Sequence, residues 1–400
     1  MERVSVIIPV YEAAAHLEIA MDSAVSQTYE NLELICAYQI SEDDSLEILQ
    51  KYEKKDSRIR IIYCQERGLS VARNIGLADA TGKYVFFMDA DDAFCAEDSI
   101  EQMVKLAEEN DVDMIVANVV GRDEKNELFY KHEYQGVRKG QQLLFEQVGN
   151  NEYQSGGVWA LFLKRKFLLS KKIEFYPGLF AEDIPYIMEC FLKAERMLCT
   201  DQIFYKHYRW NDSLTAMKIG KWQIESLIKI YYELLGMEER IDLTEEGKRG
   251  LEETIVFVYN KLVSMAYKVS DDIYVGETLE ERLLWRRVKN NYHNLAVEEK
   301  VKKALGNNEG KSAYIYGAGH YALEVIEILN KYDVPLQGIL VSNSEANRKS
   351  LYGNRICTVG DVEEKDCLIL IAMKGEFAKD VVKNLADMKF KNICILYDYV

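Results

Sequence analysis

A chain of 400 residues is too long for one compact core and predicts two or three domains. With 48% hydrophobic and 29% charged residues the composition is that of an ordinary soluble protein and excludes long disorder. A formal net charge of −16 argues against a nucleic-acid partner and against electrostatic adsorption to anionic lipid, while leaving room for a nucleotide in a local site.

Val4-Ser-Val-Ile-Ile-Pro9 reads as a short buried strand ended by a proline that has no N–H for a ladder. Leu17, Ala20, Met21, Ala24 and Val25 repeat at helical spacing and predict a helix from about Ala13. Leu32–Ala37 is a second strand, after which Ser41 can cap a helix with Leu46, Leu49 and Tyr52 on one face. Ile59–Tyr63 is a third strand, and Gly68–Gly76 opens another helix. The apolar run Tyr84-Val-Phe-Phe-Met88 then breaks into Asp89, Asp91 and Asp92. Such a run is a strand buried on both faces, and its carboxyl end is where α/β sheets bind ligands. Acids spaced Asp-x-Asp there suit a divalent cation bridging a diphosphate, and equally a solvated acidic turn.

A helix from Asp98 and a strand at Met114–Ala117 continue the alternation, and 119–158 reads as polar, irregular loops on the acceptor side. A helix over 183–195 begins at Glu182-Asp183, where carboxylates complement the helix dipole. From 219 to 306 the periodicity is helical only and shows no chemistry. A second α/β unit follows, with Ala313–Tyr316 running into Gly317-x-Gly319-x-x-Ala322, the context of a dinucleotide fingerprint. The acid expected at the end of its second strand is missing, since Val341 is followed by Ser342 and Asn343. NAD(P) binding there is therefore disfavoured.

The eight cysteines are scattered without a C-x-x-C pair and read as free thiols of a reducing compartment. The amino terminus enters a strand directly, and no apolar run reaches the roughly 20 residues that span a bilayer. The chain is expected to be cytoplasmic, with any membrane contact peripheral to the inner face.

In this order and spacing the first 215 residues resemble family 2 inverting glycosyltransferases of the GT-A fold. The matching pieces are Val6-Ile-Ile-Pro-Val-Tyr11, Ser23-x-x-x-Gln-Thr28, Gly68-Leu-Ser-x-Ala-Arg-Asn-x-Gly76, Met88-Asp-Ala-Asp-Asp92, Glu182-Asp183, Tyr205-x-x-Tyr-Arg209 and Ser213-Leu-Thr215. The tail is similar, more loosely, to the Rossmann-like domain some bacterial glycosyltransferases carry. The resemblance implies an α/β GT-A nucleotide-diphospho-sugar transferase domain (1–215), a helical linker region (216–306) and a small Rossmann-like domain (307–400).

It further implies that Pro9 and Tyr11 line the nucleotide pocket, that Arg73 sits near the base or phosphates, and that Asp89 contacts ribose or metal. Asp91 would hold Mg²⁺ or Mn²⁺, with His207 as a possible third ligand or a structural residue. Asp183 would be the catalytic base, with Glu182 beside it. Trp159 would stack on an acceptor sugar or be buried against the sheet. The donor implied is a nucleotide-diphospho-sugar, UDP-sugars foremost, and the acceptor a hydroxyl of a cell-surface glycan or lipid-linked saccharide. One departure stands out: the family's Asp-Asp-Gly-Ser after the second strand is Tyr38-Gln-Ile-Ser41 here. Tyr38 offers a stacking face and Gln39 an amide, so a base is either held without a carboxylate or excluded by the Tyr38 ring. The rival functions are a degenerate nucleotide-sugar-binding or regulatory protein and an oxidoreductase working through the second fingerprint.

Overall fold

The computed structural model describes residues 1–122, 127–130, 135–149, 157–210, 219–266, 269, 275–317, 320–342, 350–351, 354–373 and 376–397. They fall into two compact units, 1–285 and 286–400.

In the first unit β1 (Val4–Val10), α1 (Leu17–Val25), β2 (Leu32–Gln39), α2 (Ser45–Glu53), β3 (Ile59–Cys64), α3 (Leu69–Asp79) and β4 (Tyr84–Phe87) alternate, as the apolar periodicity predicts. β1 pairs in parallel with β2 on one side and β4 on the other, and β3 lies outside β2. The winding therefore reverses between β1 and β4, and a crevice opens at their carboxyl ends. Every residue of β1, β2 and β4 is buried, because helices cover both faces. β1 runs on through Pro9 rather than stopping there. The proline lies past Ile7–Phe87, the last β1–β4 pair, where its missing N–H breaks no ladder. α3 lies close on the sheet, since a Cβ at Gly76 would come within 2.4 Å of Ile7 Cγ2. Ser41 does not cap α2: its hydroxyl donates to Asp43, and Asp43 accepts from the backbone N–H of Ala14 and the hydroxyl of Ser45 instead.

Beyond β4 the sheet is mixed. The short β5 (Ala93–Phe94) and α4 (Ser99–Asn110) lead to β6 (Met114–Arg122). In the stretch expected to be irregular, the described residues form β7 (Glu127–Tyr130), β8 (Gly136–Arg138) and α5 (Gly140–Gly149). β7 folds back antiparallel on β6 and β8 on β10, so cross-strand pairing orders segments whose own polarity gave no signal. β9 (Leu161–Lys164) inserts antiparallel between β4 and β6, and α6 (Arg165–Lys171), α7 (Asp183–Lys193) and β10 (Met197–Tyr208) follow. The sheet order is β3-β2-β1-β4-β9-β6-β10-β5.

The helical stretch comprises α8 (Lys221–Arg240), α9 (Glu245–Ala266) and α10 (Leu279–Gly306), and the chain passes from the first unit to the second within α10. α8 buries Ile224, Leu227 and Ile228, and α9 buries Leu251, Val258 and Leu262. No described helix is long and apolar enough to cross a membrane.

The second unit consists of β11 (Ala313–Tyr316), α11 (His320–Lys331), β12 (Leu336–Val341), β13 (Ser350–Leu351), β14 (Asn354–Thr358), β15 (Leu368–Ile371), α12 (Glu376–Asp387) and β16 (Asn392–Ile395). Five of its strands are parallel, in the order β14-β12-β11-β15-β16, with β13 antiparallel at the edge. Gly317 ends β11 with φ 110°, a conformation that glycine adopts freely. Ala318 and Gly319 of the fingerprint lie outside the described residues. At the end of β12, where dinucleotide folds place an acid, Ser342 instead shares a 2.6 Å hydrogen bond with the Tyr316 hydroxyl.

One buried charge braces the first sheet far from the crevice. Glu33 Oε1 accepts from the Ser5 hydroxyl at 2.5 Å and from the Thr81 backbone and hydroxyl at 2.7 and 2.9 Å. Glu33→Ala leaves these donors without an acceptor and is expected to cost about 1–3 kcal/mol in denaturant unfolding. An unchanged unfolding midpoint would show that water replaces the carboxylate at no cost.

Candidate active site

The spacing of one helix face builds the site. Ser70, Arg73 and Asn74 stand at i, i+3 and i+4 on α3 and so point the same way. The Ser70 hydroxyl donates to Tyr176 O at 2.7 Å, and Asn74 exchanges two hydrogen bonds with the Phe175 backbone. These ties fix the segment that leads into α7. Between them Arg73, 1% exposed, reaches three carboxylates. Its Nη1 donates to Glu182 Oε1 at 2.8 Å and Asp183 Oδ1 at 2.7 Å, and its Nη2 to Asp89 Oδ1 at 2.9 Å. Phe175 lies under the guanidinium at 5.0 Å and is itself stacked on Tyr186 at 3.8 Å. Arg73 is thus engaged with acids in the core rather than open to solvent.

Three acids against one guanidinium leave a charge imbalance. Burial works against the Arg73 charge, yet Asp183, Asp89 and Glu182 hold it protonated. Burial and the adjacent Asp183 push the Glu182 carboxyl up to about 7, with Arg73 opposing. Asp183 is also raised by burial, again against Arg73, and its Oδ2 accepts the Val158 N–H at 3.1 Å. The Asp183 side chain is 17% exposed and that of Glu182 9%, so Asp183 is the more accessible of the two.

Asp89, Asp91 and Asp92 have separate environments. The Tyr205 hydroxyl accepts the Asp89 backbone N–H at 2.9 Å, which fixes the turn after β4. Asp92 is fully buried; its Oδ1 accepts the Tyr208 N–H at 2.8 Å and its Oδ2 lies 3.0 Å from His207 Nδ1. Burial opposes protonation of His207, but the hydrogen bond and charge of Asp92 outweigh it and raise the ring. Asp91 makes no ion pair among the described residues, and the charge of His207 opposes its protonation. Burial, then Asp92 and Asp89, push it up to about 7. Trp210 donates its indole N–H to Asp91 O at 3.2 Å and stacks on His16 at 3.8 Å.

The chemistry of this donor set fits a hard divalent cation. Asp91 is a carboxylate raised by its neighbours at the edge of a crevice, and a cation would supply the missing positive charge. Asp92 on Nδ1 leaves the far nitrogen of His207 as its remaining lone-pair position. Among the described residues no three acidic, histidine or cysteine side chains converge as a ready shell, so substrate oxygens and water would complete the coordination.

The other expected residues lie as follows. Trp159 is 7% exposed and stacks on His207 at 4.9 Å and Tyr205 at 6.0 Å: burial against the sheet, the second of its two readings. Tyr38 is 3% exposed, edge-on to Tyr63 at 5.8 Å, and its hydroxyl accepts the Ser41 N–H at 3.2 Å. It therefore offers no open stacking face. Gln39 accepts the Gly68 N–H at 2.6 Å. Tyr11 is exposed at the end of β1, with the Arg67 guanidinium 5.0 Å over its ring. Ser23 and Gln27 hold the acidic turn from outside, Ser23 Oγ accepting from Phe94 N and Gln27 bridging Ala96 O and Ile100 N. Ser213-Leu-Thr215 lies outside the described residues. Sequence reasoning named Asp92 and Tyr205 within their motifs but not as residues that fix the acidic turn, and it missed Trp210 and Arg67.

A mixed α/β sheet with acids from β4 and α7 meeting at its switch point is the arrangement of a GT-A unit. The crystal structure of Staphylococcus aureus TarS 1–349 in complex with UDP-GlcNAc superposes with a TM-score of 0.58 at 18% identity, over 83% of this chain and 92% of that one. Residues 5–167 match the family described as Glycosyl transferase family 2. It is 28% identical over 319 residues to the glycosyltransferase GlyA of Streptococcus pneumoniae, covering 77% of this chain and 44% of GlyA. It is 31% identical over 221 residues to the glycosyltransferase YibD of Escherichia coli, covering 54% of this chain and 64% of YibD. The chain thus spans less than two thirds of either relative.

Two predictions follow the geometry. Arg73→Met leaves buried acids uncompensated and should destabilise the first unit by about 3–5 kcal/mol; a Tm equal to the parent's would mean the cluster is hydrated. Glu182 binds its proton more tightly folded than unfolded, so its contribution is complete below the unfolded value, about 4.3, and is lost as pH rises through about 7. Glu182→Gln should therefore flatten the decline of Tm between about pH 5 and pH 8, and an equally steep profile would place the proton elsewhere.

Proposed function

We propose that the first unit transfers a sugar from a nucleotide-diphosphate donor to an acceptor hydroxyl, with inversion and with Mg²⁺ or Mn²⁺. The observation that carries this reading is Arg73, which ties Asp89 of the acidic turn to Asp183 at the start of α7. Residues almost a hundred positions apart thereby face one crevice.

Asp91, with Asp89, would hold the cation, and His207 is available beside them. When bound, that ion neutralises charge on the departing diphosphate. Asp183 takes the proton from the acceptor hydroxyl as the new bond to the anomeric carbon forms, and the bond from that carbon to the diphosphate oxygen breaks with its electron pair. A single displacement by one base gives inversion and needs no covalent intermediate. Arg73 and the Val158 N–H hold the Asp183 carboxylate in place, so little reorganisation is needed during transfer. Tyr11, exposed where β1 ends, supplies an aromatic face for the nucleoside. The UDP-GlcNAc held by TarS makes UDP-sugars the first donors to test. For the acceptor we take a cell-surface glycan or lipid-linked saccharide, the class that the family resemblance implies.

Asp183→Asn should keep donor affinity and lose transfer by about 10²–10⁴-fold. Unchanged turnover would move the base to Glu182. Asp91→Asn should abolish the Mn²⁺-dependent thermal shift given by UDP-sugars while the unliganded Tm stays near the parent's. A preserved shift would make the acidic turn structural, and no shift in the parent with any nucleotide would point to a silent domain.

A further inference from the structure

We infer that Trp222, in the first turn of α8, is a positioning residue for Asp183: it holds the bend that delivers the carboxylate to the crevice. The inference rests on the transferase reading above and adds to it a helix outside residues 5–167, in a region whose sequence showed no chemistry. The need for such a hold lies at the start of α7. Glu182, the N-cap, makes no side-chain capping bond, because its carboxylate accepts from Arg73, and Asp183 is turned to Arg73 and the Val158 N–H. The first turn is closed instead by the Ala181 carbonyl, which accepts the Ile184 N–H at 3.1 Å. Ala181 does this at φ 61°, a left-handed conformation that its Cβ disfavours. Asp111, Lys172, Asp333 and Lys389 reach such angles just past helix ends, where they are ordinary. Ala181 does so ahead of a helix and two residues from the candidate base, and strain of that kind persists only where the surroundings hold it.

Ser70 and Asn74 hold the chain at Phe175 and Tyr176. Gly178 follows at φ 78° and gives the bend no stiffness of its own. Trp222 supplies it. The indole N–H donates to Gly178 O at 3.2 Å, and the ring stands edge-on to Phe180 at 5.7 Å, so one side chain grips both ends of the tripeptide before Ala181. Trp222 is itself set by its helix: the Gly220 N–H donates to Gln223 Oε1 at 3.0 Å, and Gln223 and Ile224 are buried. The ring is 45% exposed, so it contributes little as buried apolar surface. Its removal should therefore loosen the bend far more than it unfolds the unit.

Two measurements on the full chain, hydrogen exchange read by mass spectrometry and UDP release from UDP-GlcNAc in Mn²⁺, test this on the parent and two variants. In the second, water replaces the acceptor: its oxygen bonds to the anomeric carbon, its proton goes to Asp183, and the bond to the diphosphate breaks with its electron pair. Trp222→Ala loses both contacts, and Trp222→Phe keeps a ring against Phe180 but loses the N–H. In Trp222→Ala the backbone N–H groups of 178–184 should exchange about tenfold or more faster, with those of α3 and β4 at parent rates. Its kcat should fall about tenfold or more while KM for UDP-GlcNAc stays within about twofold, because the donor's own contacts are untouched. Trp222→Phe, the milder change and the control should the other fail to fold, should show the same split at about threefold. Parent-like exchange over 178–184, or a parent-like kcat in Trp222→Ala, overturns the inference and leaves the transferase reading standing; faster exchange everywhere with kcat unchanged would show a merely structural role. A parent that releases nucleotide diphosphate from no UDP- or GDP-sugar overturns both.

Discussion

The buried ion cluster of Arg73 is the constraint on which the first unit depends. A lone guanidinium in the core would be costly, and so would any of the three carboxylates. Together they make an arrangement that holds only if β4, α3 and α7 are all in place, since Asp89, Arg73 and Asp183 come from different elements. Asn74 and Ser70 explain why α7 arrives where it does: they hold the backbone at Phe175 and Tyr176. Gly76 explains why α3 lies close enough to the sheet, with Ile7 in the space a Cβ would need. The motif running from Gly68 to Gly76 is therefore one piece of machinery in which glycine sets the approach, and serine, arginine and asparagine grip the opposite wall.

The same cluster sets the electrostatics of the crevice. Asp89, Asp91, Asp92, Glu182 and Asp183 gather around Arg73 and His207, so acids outnumber bases. The excess falls on Asp91 and Glu182, both pushed up to about 7 by burial and neighbouring acids. One lies where a cation would sit and the other beside the candidate base. Positive charge brought to Asp91 would lower the cost of ionising the acids around it, Asp183 among them.

Much of this was legible in the sequence because its signals are local. The strands β1, β2 and β4 read as apolar runs, and the acids after Phe87 announced the edge where ligands bind. What was not legible depends on pairing between distant segments. β9 reverses direction inside an otherwise parallel half, and β7 and β8 owe their order to β6 and β10. Arg73 was legible as important but not as buried, because nothing in its own segment shows that acids from positions 182 and 183 will cover it. Trp159 could have stacked on a sugar or on the core, and only the positions of His207 and Tyr205 decided that.

The departure at Tyr38 and Gln39 makes sense against the same charge balance. A carboxylate at Gln39 would add a further acid to a crevice already rich in them, and it would draw on the nearby Arg67 for a partner. With a neutral amide there, Arg67 makes no ion pair among the described residues and lies instead on the Tyr11 ring. Tyr38, on the opposite face of β2, turns inward against Tyr63 and closes the core beneath the strand end. The two side chains thus lie in different layers: Tyr38 completes the core, and Gln39 accepts the Gly68 backbone N–H. The guanidinium resting on the Tyr11 ring is held only weakly, since a cation–π contact at an exposed site is worth about 0.5–1 kcal/mol.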